Sequence, residues 1–184
     1  MKRPILVILI LALFSGLCLA QTASFGIKGG MNISNIYGTE GDRPDSRFGF
    51  IGGAFCDFDF VSFSIQPEVL LSQKGWKYDS GCRYNYFEIP VLIKIPLSQK
   101  FRVSPYLGPA VSFLLNAKVF DLDMSQYVVS PDIGLVLGAE IKTKHKVSLD
   151  MRYTRGLRKI IKDEPHESYD IKHSVFSIML GLHP

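Results

Sequence analysis

Bulky apolar residues alternate with small or polar residues along eight segments of this sequence, and this period of two constrains the fold more than any other feature. Successive side chains of a β-strand point to opposite faces, so each segment predicts a strand. Most segments span about 10 to 14 residues, well above the usual strand length of about five or six. They lie near residues 23–33, 47–57, 61–74, 83–95, 102–116, 132–142, 146–155 and 173–182. We therefore predict an all-β protein with eight long strands.

The connections between these segments alternate between short and long. The second and third strands are joined by "DFDF", the fourth and fifth by "PLSQK", and the sixth and seventh by "TKHK". The remaining connections are longer and polar, such as "RGLRKIIKDEPHESYDIK" before the last strand. Short turns thus gather at one end and long loops at the other. An even strand number with this asymmetry is typical of an antiparallel up-and-down transmembrane β-barrel, with short periplasmic turns and long extracellular loops.

The charged residues of the strands fall on the face opposite the bulky apolar residues. In an eight-stranded barrel this face lines an interior that side chains just fill. Acids and bases of similar number can neutralise one another there, which predicts a polar lumen network of Lys28, Glu68, Lys74, Glu88, Lys94, Glu140, Asp150 and Arg152. A soluble lipocalin-like barrel, in which the apolar face lines a ligand pocket, is the alternative.

The amino terminus has the layout of a cleavable signal peptide. Lys2 and Arg3 precede an apolar run over residues 5–14, and the small residue Ala20 precedes the predicted cleavage site. We therefore assign residues 1–20 to the signal peptide and residues 21–184 to one outer-membrane barrel domain. A lipid anchor at Cys18 is the alternative, although Leu17 is large for the usual recognition sequence.

The net charge and the length of the apolar runs argue against two classes of protein. Removing Lys2 and Arg3 from the 21 basic residues leaves 19 against 17 acidic ones, a net charge of 19 − 17 = +2. Such a balance argues against nucleic-acid binding. No segment of the mature chain approaches the run of about 18 apolar residues that a transmembrane helix needs, so a helical membrane protein is excluded. The sequence carries no signal for an oligomeric state.

Several segments together resemble one protein family. "FGIKGGMNISNIYG" (25–38), "SIQPEVLLSQKGWKY" (64–78), "FEIPVLIKIPL" (87–97), "VSPYLGPAVSFLLN" (103–116), "DIGLVLGAEI" (132–141) and "VSLDMRYTRGL" (147–157) are similar to the PorT-like outer-membrane β-barrel proteins, often called porin family proteins. The resemblance implies an eight-stranded barrel of OmpA-like architecture. The namesake of the family is similar to an accessory component of a protein secretion system. The final "SIMLGLHP" departs from the aromatic last residue usual in such barrels.

No group of residues predicts catalysis, a cofactor or a metal. His173 and Ser174 are adjacent, so their side chains point to opposite faces of a strand and cannot pair as base and nucleophile. The acidic stretches "KDEPHE" (Asp163, Glu164, His166, Glu167) and "DLD" (Asp121, Asp123) lack the spacing of a calcium loop and are interpreted as solvated extracellular loops. We predict a protein that is not an enzyme and has no cofactor.

Three function hypotheses follow from this sequence. The first is a structural or interaction protein, embedded in outer-membrane lipid, that contacts a protein partner through loops 35–46 and 156–172 and is a candidate secretion accessory. The second is a narrow channel or porin-type transporter. The third is the soluble lipocalin-like binder of the periplasm.

Three local features carry predictions of their own. Cys56 and Cys82 fall at opposite ends of the third strand, too far apart for a disulfide. Pro109 lacks the donor that a closed sheet requires, which predicts a bulge or a shifted hydrogen bond there. Aromatic residues near strand ends are interpreted as a girdle at the membrane interface: Phe25, Phe48, Tyr78, Tyr84, Tyr86, Phe101 and Tyr153.

Overall fold

Eight long antiparallel strands close into a barrel in a computed structural model of this chain. The structure describes residues 22–37, 45–77, 81–97, 102–119, 122–143, 145–160 and 171–183. The strands are β1 Thr22–Tyr37, β2 Asp45–Asp59, β3 Ser64–Lys77, β4 Gly81–Lys94, β5 Val103–Val119, β6 Leu122–Asp123, β7 Asp132–Lys142, β8 Val147–Gly156 and β9 Lys172–Leu182. The two-residue strand β6 pairs with the end of β5 and precedes a 3₁₀ turn, Ser125–Tyr127. The predicted eight-stranded antiparallel barrel is confirmed.

Each long strand pairs with its neighbour in the chain, and β1 pairs with β9 to close the barrel. The tight connections β2–β3, β4–β5 and β7–β8 lie at one end, together with the start of β1 and the end of β9. We call this the short-turn end and the opposite one the long-loop end. Asn32 spans the closing seam from inside, because its amide donates to Ser72 Oγ at 2.9 Å and accepts from Ser177 Oγ at 2.7 Å.

Strand β1 extends four residues past its predicted end at residue 33. Ser34 explains part of this extension, since its hydroxyl donates to Gly75 O at 2.8 Å and accepts from Gly75 N at 2.9 Å. A polar side chain here therefore ties β1 to β3 across the lumen. Polar residues near a loop are a poor marker of where a barrel strand stops.

The two faces of the barrel wall differ in polarity. Outward side chains are large and apolar, as at Phe25, Ile27 and Phe50, which are 66%, 60% and 72% exposed. Inward positions hold most of the buried polar and charged residues. A lipocalin has the reverse arrangement, so the alternative of a soluble lipocalin-like binder is wrong. Within the described ranges, no helix is long and apolar enough to cross a membrane.

The prediction of a bulge or a shifted hydrogen bond at Pro109 is wrong, because the register runs unbroken through this residue. The β5–β7 ladder runs from Val103↔Ile141 to Ser112↔Asp132 without a shift in register, and Pro109 pairs with Leu135. On the other side, the β4–β5 ladder is interrupted opposite Pro109 and Gly108 but resumes in the same register. The missing proline donor is thus accommodated by a gap in one ladder, which needs no inserted residue. The bulge of β5 lies at its long-loop end, next to Asn85 and Tyr86 of β4.

The predicted aromatic girdle is wrong at two of its positions. Tyr84 and Tyr86 lie inside the lumen, at 3% and 1% exposure, because they share the parity of Glu88 on β4. Phe25, Phe48 and Tyr153 do face outward. The other two girdle residues, Tyr78 and Phe101, fall outside the described residues, as do residues 1–20 of the predicted signal peptide.

The two cysteines of the mature chain lie at opposite ends of the barrel. Cys56 pairs with Phe25 near the short-turn end, and Cys82 pairs with Trp76 at the long-loop end. Both are free thiols.

Candidate functional site

The candidate site is the lumen, where the structure places all eight residues of the predicted polar network. None of them is more than 5% exposed. They fall into three groups stacked along the barrel axis, two of which are connected through Gln66. We call these the central cluster, the short-turn cluster and the long-loop cluster.

The central cluster consists of Lys28, Glu68, Asp150 and Arg152. Lys28 Nζ lies 2.8 Å from Glu68 Oε1 and 2.9 Å from Asp150 Oδ2. Arg152 contacts the same two carboxylates, at 2.7 Å from Glu68 Oε2 and 2.9 Å from Asp150 Oδ2. Two cations and two carboxylates therefore neutralise one another, and every pair is fully desolvated. The cluster joins β1, β3 and β8 across the barrel.

Aromatic side chains enclose the central cluster. The Tyr106 hydroxyl donates to Asp150 Oδ1 at 2.6 Å, and its ring lies 5.6 Å from the Arg152 guanidinium. The Lys28 ammonium lies 4.8 Å from the centre of the Phe55 ring. Cation–π contacts of this kind are strongest where water is excluded. Tyr106 and Phe55 are themselves buried, so aromatic rings pack directly against the paired charges inside the barrel.

The short-turn cluster consists of Asp57, Lys94, Glu140 and Lys142. Lys94 Nζ lies 3.0 Å from Asp57 Oδ1 and 2.5 Å from Glu140 Oε2. Lys142 Nζ lies 3.0 Å from Asp57 Oδ2. Gln66 accepts a hydrogen bond from Lys94 and donates one to Glu68, which links this cluster to the central one.

The long-loop cluster consists of Lys74, Glu88 and Asp132 beneath a layer of aromatic rings. Lys74 Nζ lies 2.6 Å from Glu88 Oε1. Above them, Tyr86 and His173 are within hydrogen-bond distance at 3.2 Å, and the Trp76 ring stacks on Tyr84 with centroids 5.2 Å apart. Buried apolar residues complete this layer: Ile36, Ala117, Val128, Ile160 and Ile171. The lumen is therefore closed by apolar packing at the long-loop end.

Sequence reasoning missed five buried members of this arrangement. Asp57, Gln66, Tyr106, Asp132 and His173 all point inward and are at most 5% exposed. Each of them lies an even number of residues from an inward-facing residue of the same strand, and this spacing predicts that its side chain also points into the lumen. A parity test applied to every charged, polar and aromatic residue of each strand predicts inward positions for all five.

The structure does not bring the His173 and Ser174 side chains together. His173 is buried in the lumen, whereas Ser174 faces outward and its hydroxyl lies 2.9 Å from Tyr153 OH. Among the residues that the structure covers, no three His, Cys, Asp or Glu side chains are grouped as a metal site. Asp123 accepts hydrogen bonds from the backbone and hydroxyl of Ser125. Asp121 and the "KDEPHE" residues lie outside the described ranges.

Trp76, the single tryptophan of the chain, reports directly on the aromatic layer. It is 6% exposed and packed against Tyr84 and His173. We expect blue-shifted emission and weak quenching by acrylamide in the folded barrel, with both properties lost on unfolding in urea. Quenching of the folded protein as efficient as that of free tryptophan would contradict a closed long-loop end.

Two solved structures share this fold over nearly their whole length. Neisserial surface protein A superposes with a TM-score of 0.60 at 14% identity, covering 88% of this chain and 99% of that one. The attachment invasion locus protein Ail of Yersinia pestis, solved with the heparin analogue sucrose octasulfate, has a TM-score of 0.56 at 14% identity, covering 89% of this chain and 100% of that one. At such identities the likeness concerns the fold alone. No curated protein matches the chain significantly.

A family model described as "Outer membrane protein beta-barrel domain" matches residues 19–162. This match covers most of the chain and agrees with the closed eight-stranded wall, its apolar outer face and its polar lumen. The chain therefore belongs to the outer-membrane protein β-barrel domain family and resides in the lipid of the outer membrane.

Proposed function

We propose that this protein is a closed membrane scaffold that contacts a protein partner through its long-loop end at the cell surface. The observation that carries the proposal is the filled lumen, in which two neutral ion-pair clusters and an aromatic layer are stacked along the axis. A barrel closed in this way offers its rim and loops for interaction rather than its interior. The PorT-like resemblance favours a component of protein secretion machinery as the partner.

Features of the long-loop end support a contact surface there. Leu122, Tyr127 and Leu157 belong to the connections at this end and are 67%, 44% and 54% exposed. These three side chains offer apolar surface at the long-loop end for a protein partner. The rim beside them is ordered by Tyr37, whose hydroxyl donates to Gly156 O and whose ring lies 4.7 Å from the Arg155 guanidinium.

A detergent pull-down from outer membranes tests this proposal. We expect the wild-type barrel to retain a specific partner, and the double variant Leu122→Ser, Leu157→Ser to lose most of it. The matched control is Val61→Ser, which changes an exposed apolar residue at the short-turn end. Equal retention by the double variant and the wild type would contradict a partner site on this surface.

Conductance in planar bilayers tests the channel hypothesis directly. We expect no steps of porin size from the purified barrel, because eight strands leave an interior that side chains fill and the central charges are paired across it. A sixteen-stranded porin reconstituted in the same lipid serves as the positive control. Reproducible steps of porin size would refute the closed scaffold.

A further inference from the structure

A cavity of about 950 Å³ opens at the short-turn end, separate from the proposed contact surface. Its volume is in the range of small-molecule sites. Lys94 and Lys142 of the short-turn cluster lie in its lining, together with Pro96 and Arg102 between β4 and β5 and Thr143 and Lys146 between β7 and β8. The cavity is therefore a vestibule that is closed below and open to the aqueous phase.

The lining of this vestibule carries a surplus of positive charge. Among the described residues, the lining includes four cations, Lys94, Arg102, Lys142 and Lys146, and one carboxylate, Asp59. Asp57 and Glu140 in the floor neutralise Lys94 and Lys142. Among the described residues, neither Arg102 nor Lys146 has a carboxylate within 4.0 Å. Two unpaired cations at the mouth of a concave site concentrate anions there.

Arg102 is held at the rim by the backbone of Lys142 and Thr143. Its Nη1 donates to Thr143 O at 3.1 Å, and its own carbonyl accepts from Lys142 N at 3.0 Å. These bonds tie the β4–β5 turn to the β7–β8 turn. The guanidinium is thus positioned before any ligand arrives, which lowers the entropic cost of binding.

Both unpaired cations have a backbone conformation that disfavours them. Arg102 has φ 49° and Lys146 has φ 61°, in the left-handed region. This region is disfavoured for a residue with a β-carbon and is more readily adopted by glycine or asparagine. The turn conformation alone would favour glycine or asparagine at these two positions, so it does not explain why both carry long basic side chains that line the same cavity.

We propose that this vestibule is a binding site for an oxyanion, with Arg102 and Lys146 as the charged contacts and the Ser62 and Ser104 hydroxyls as further donors. The ligand class is a phosphate-type anion. It reaches the vestibule either free in solution or as the headgroup of an anionic phospholipid at the rim. Either source presents oxygen atoms to a guanidinium and an ammonium, which is a strong form of hydrogen bonding.

The test uses amide chemical shifts of the full mature barrel in nanodiscs. In the first arm, phosphatidylcholine discs are titrated with inorganic phosphate at constant ionic strength. In the second arm, phosphatidylglycerol replaces part of the lipid and phosphate is omitted. We expect saturable shifts confined to residues around Arg102 and Lys146 in at least one arm, which also identifies the source. Absence of such shifts in both arms would overturn the proposal.

The decisive variant is Arg102→Asn with Lys146→Asn, since asparagine removes each charge yet accepts the left-handed backbone. We expect the apparent affinity to fall at least about tenfold, while the urea midpoint of unfolding stays equal or rises. The matched control, Lys118→Asn with Arg158→Asn, removes two exposed charges at the long-loop end. An equal loss of affinity in the control would show a net-charge effect and overturn the assignment of the site.

Discussion

Replacing Arg152 with leucine is expected to lower the free energy of unfolding by about 3–5 kcal/mol. The substitution leaves Lys28 alone with the carboxylates of Glu68 and Asp150, all of them at most 4% exposed. A buried cluster that was neutral then carries one uncompensated negative charge. The cost of that charge far exceeds the gain from a larger apolar side chain.

Urea unfolding in detergent, followed by heat-modifiable gel mobility, measures this effect. Lys118→Leu is the matched control, because it removes an exposed cation and is expected to change stability by less than about 0.5 kcal/mol. Adding Glu68→Gln to Arg152→Leu restores neutrality with Lys28 and Asp150, so at least half of the loss should be recovered. A double variant as unstable as Arg152→Leu would show that packing, not charge, dominates.

The second large effect is expected at Gly30, where alanine should cost about 3 kcal/mol or more or prevent assembly. A β-carbon at Gly30 would lie 1.9 Å from Ile178 O and 2.6 Å from Met179 Cα. Both atoms belong to the backbone of β9, which cannot move without opening the β1–β9 seam. The adjacent Gly29 is the control, because its β-carbon would have Ile51 O at 3.9 Å as its nearest neighbour.

Refolding yield and unfolding free energy of the two alanine variants measure this difference. Gly29→Ala should refold like the wild type, or gain a few tenths of a kcal/mol from the restricted unfolded chain. The two variants have the same composition and differ by one position. Equal refolding of both variants would contradict the close approach of the β1 backbone at Gly30 to the β9 backbone at Ile178 and Met179.

The sequence predicts well which side chains face the lumen and which face outward, because this depends only on whether a residue is at an odd or even position along its own strand. Opposition to apolar neighbours predicts that Lys28, Glu68 and Arg152 lie in the lumen, and the structure buries all three. The same rule applied to Tyr84 and Tyr86 would have placed them inside. The girdle prediction is wrong for these two residues because parity along the strand, and not nearness to a strand end, decides which face an aromatic side chain occupies.

The partition of the lumen into three clusters could not be predicted in the same way. Lys28 and Asp150 are 122 residues apart in the chain, and their contact depends on the stagger accumulated over several strand pairs. A shift of two residues in one ladder keeps every side chain on its face yet changes its level along the axis. The sequence likewise has no residue that marks the bulge at the long-loop end of β5. Pro109 predicts an irregularity elsewhere in the same strand, and the register there is unbroken.

The seam between β1 and β9 has a consequence for biogenesis. It joins residues as far apart in the chain as Ile27 and Leu182, so its closure carries the largest loop entropy of any ladder in the barrel. Before β9 docks, β1 would expose unpaired backbone groups to hydrocarbon, which lipid cannot satisfy. Insertion and closure must therefore be coupled, and a chain that lacks β9 has no stable state within the bilayer.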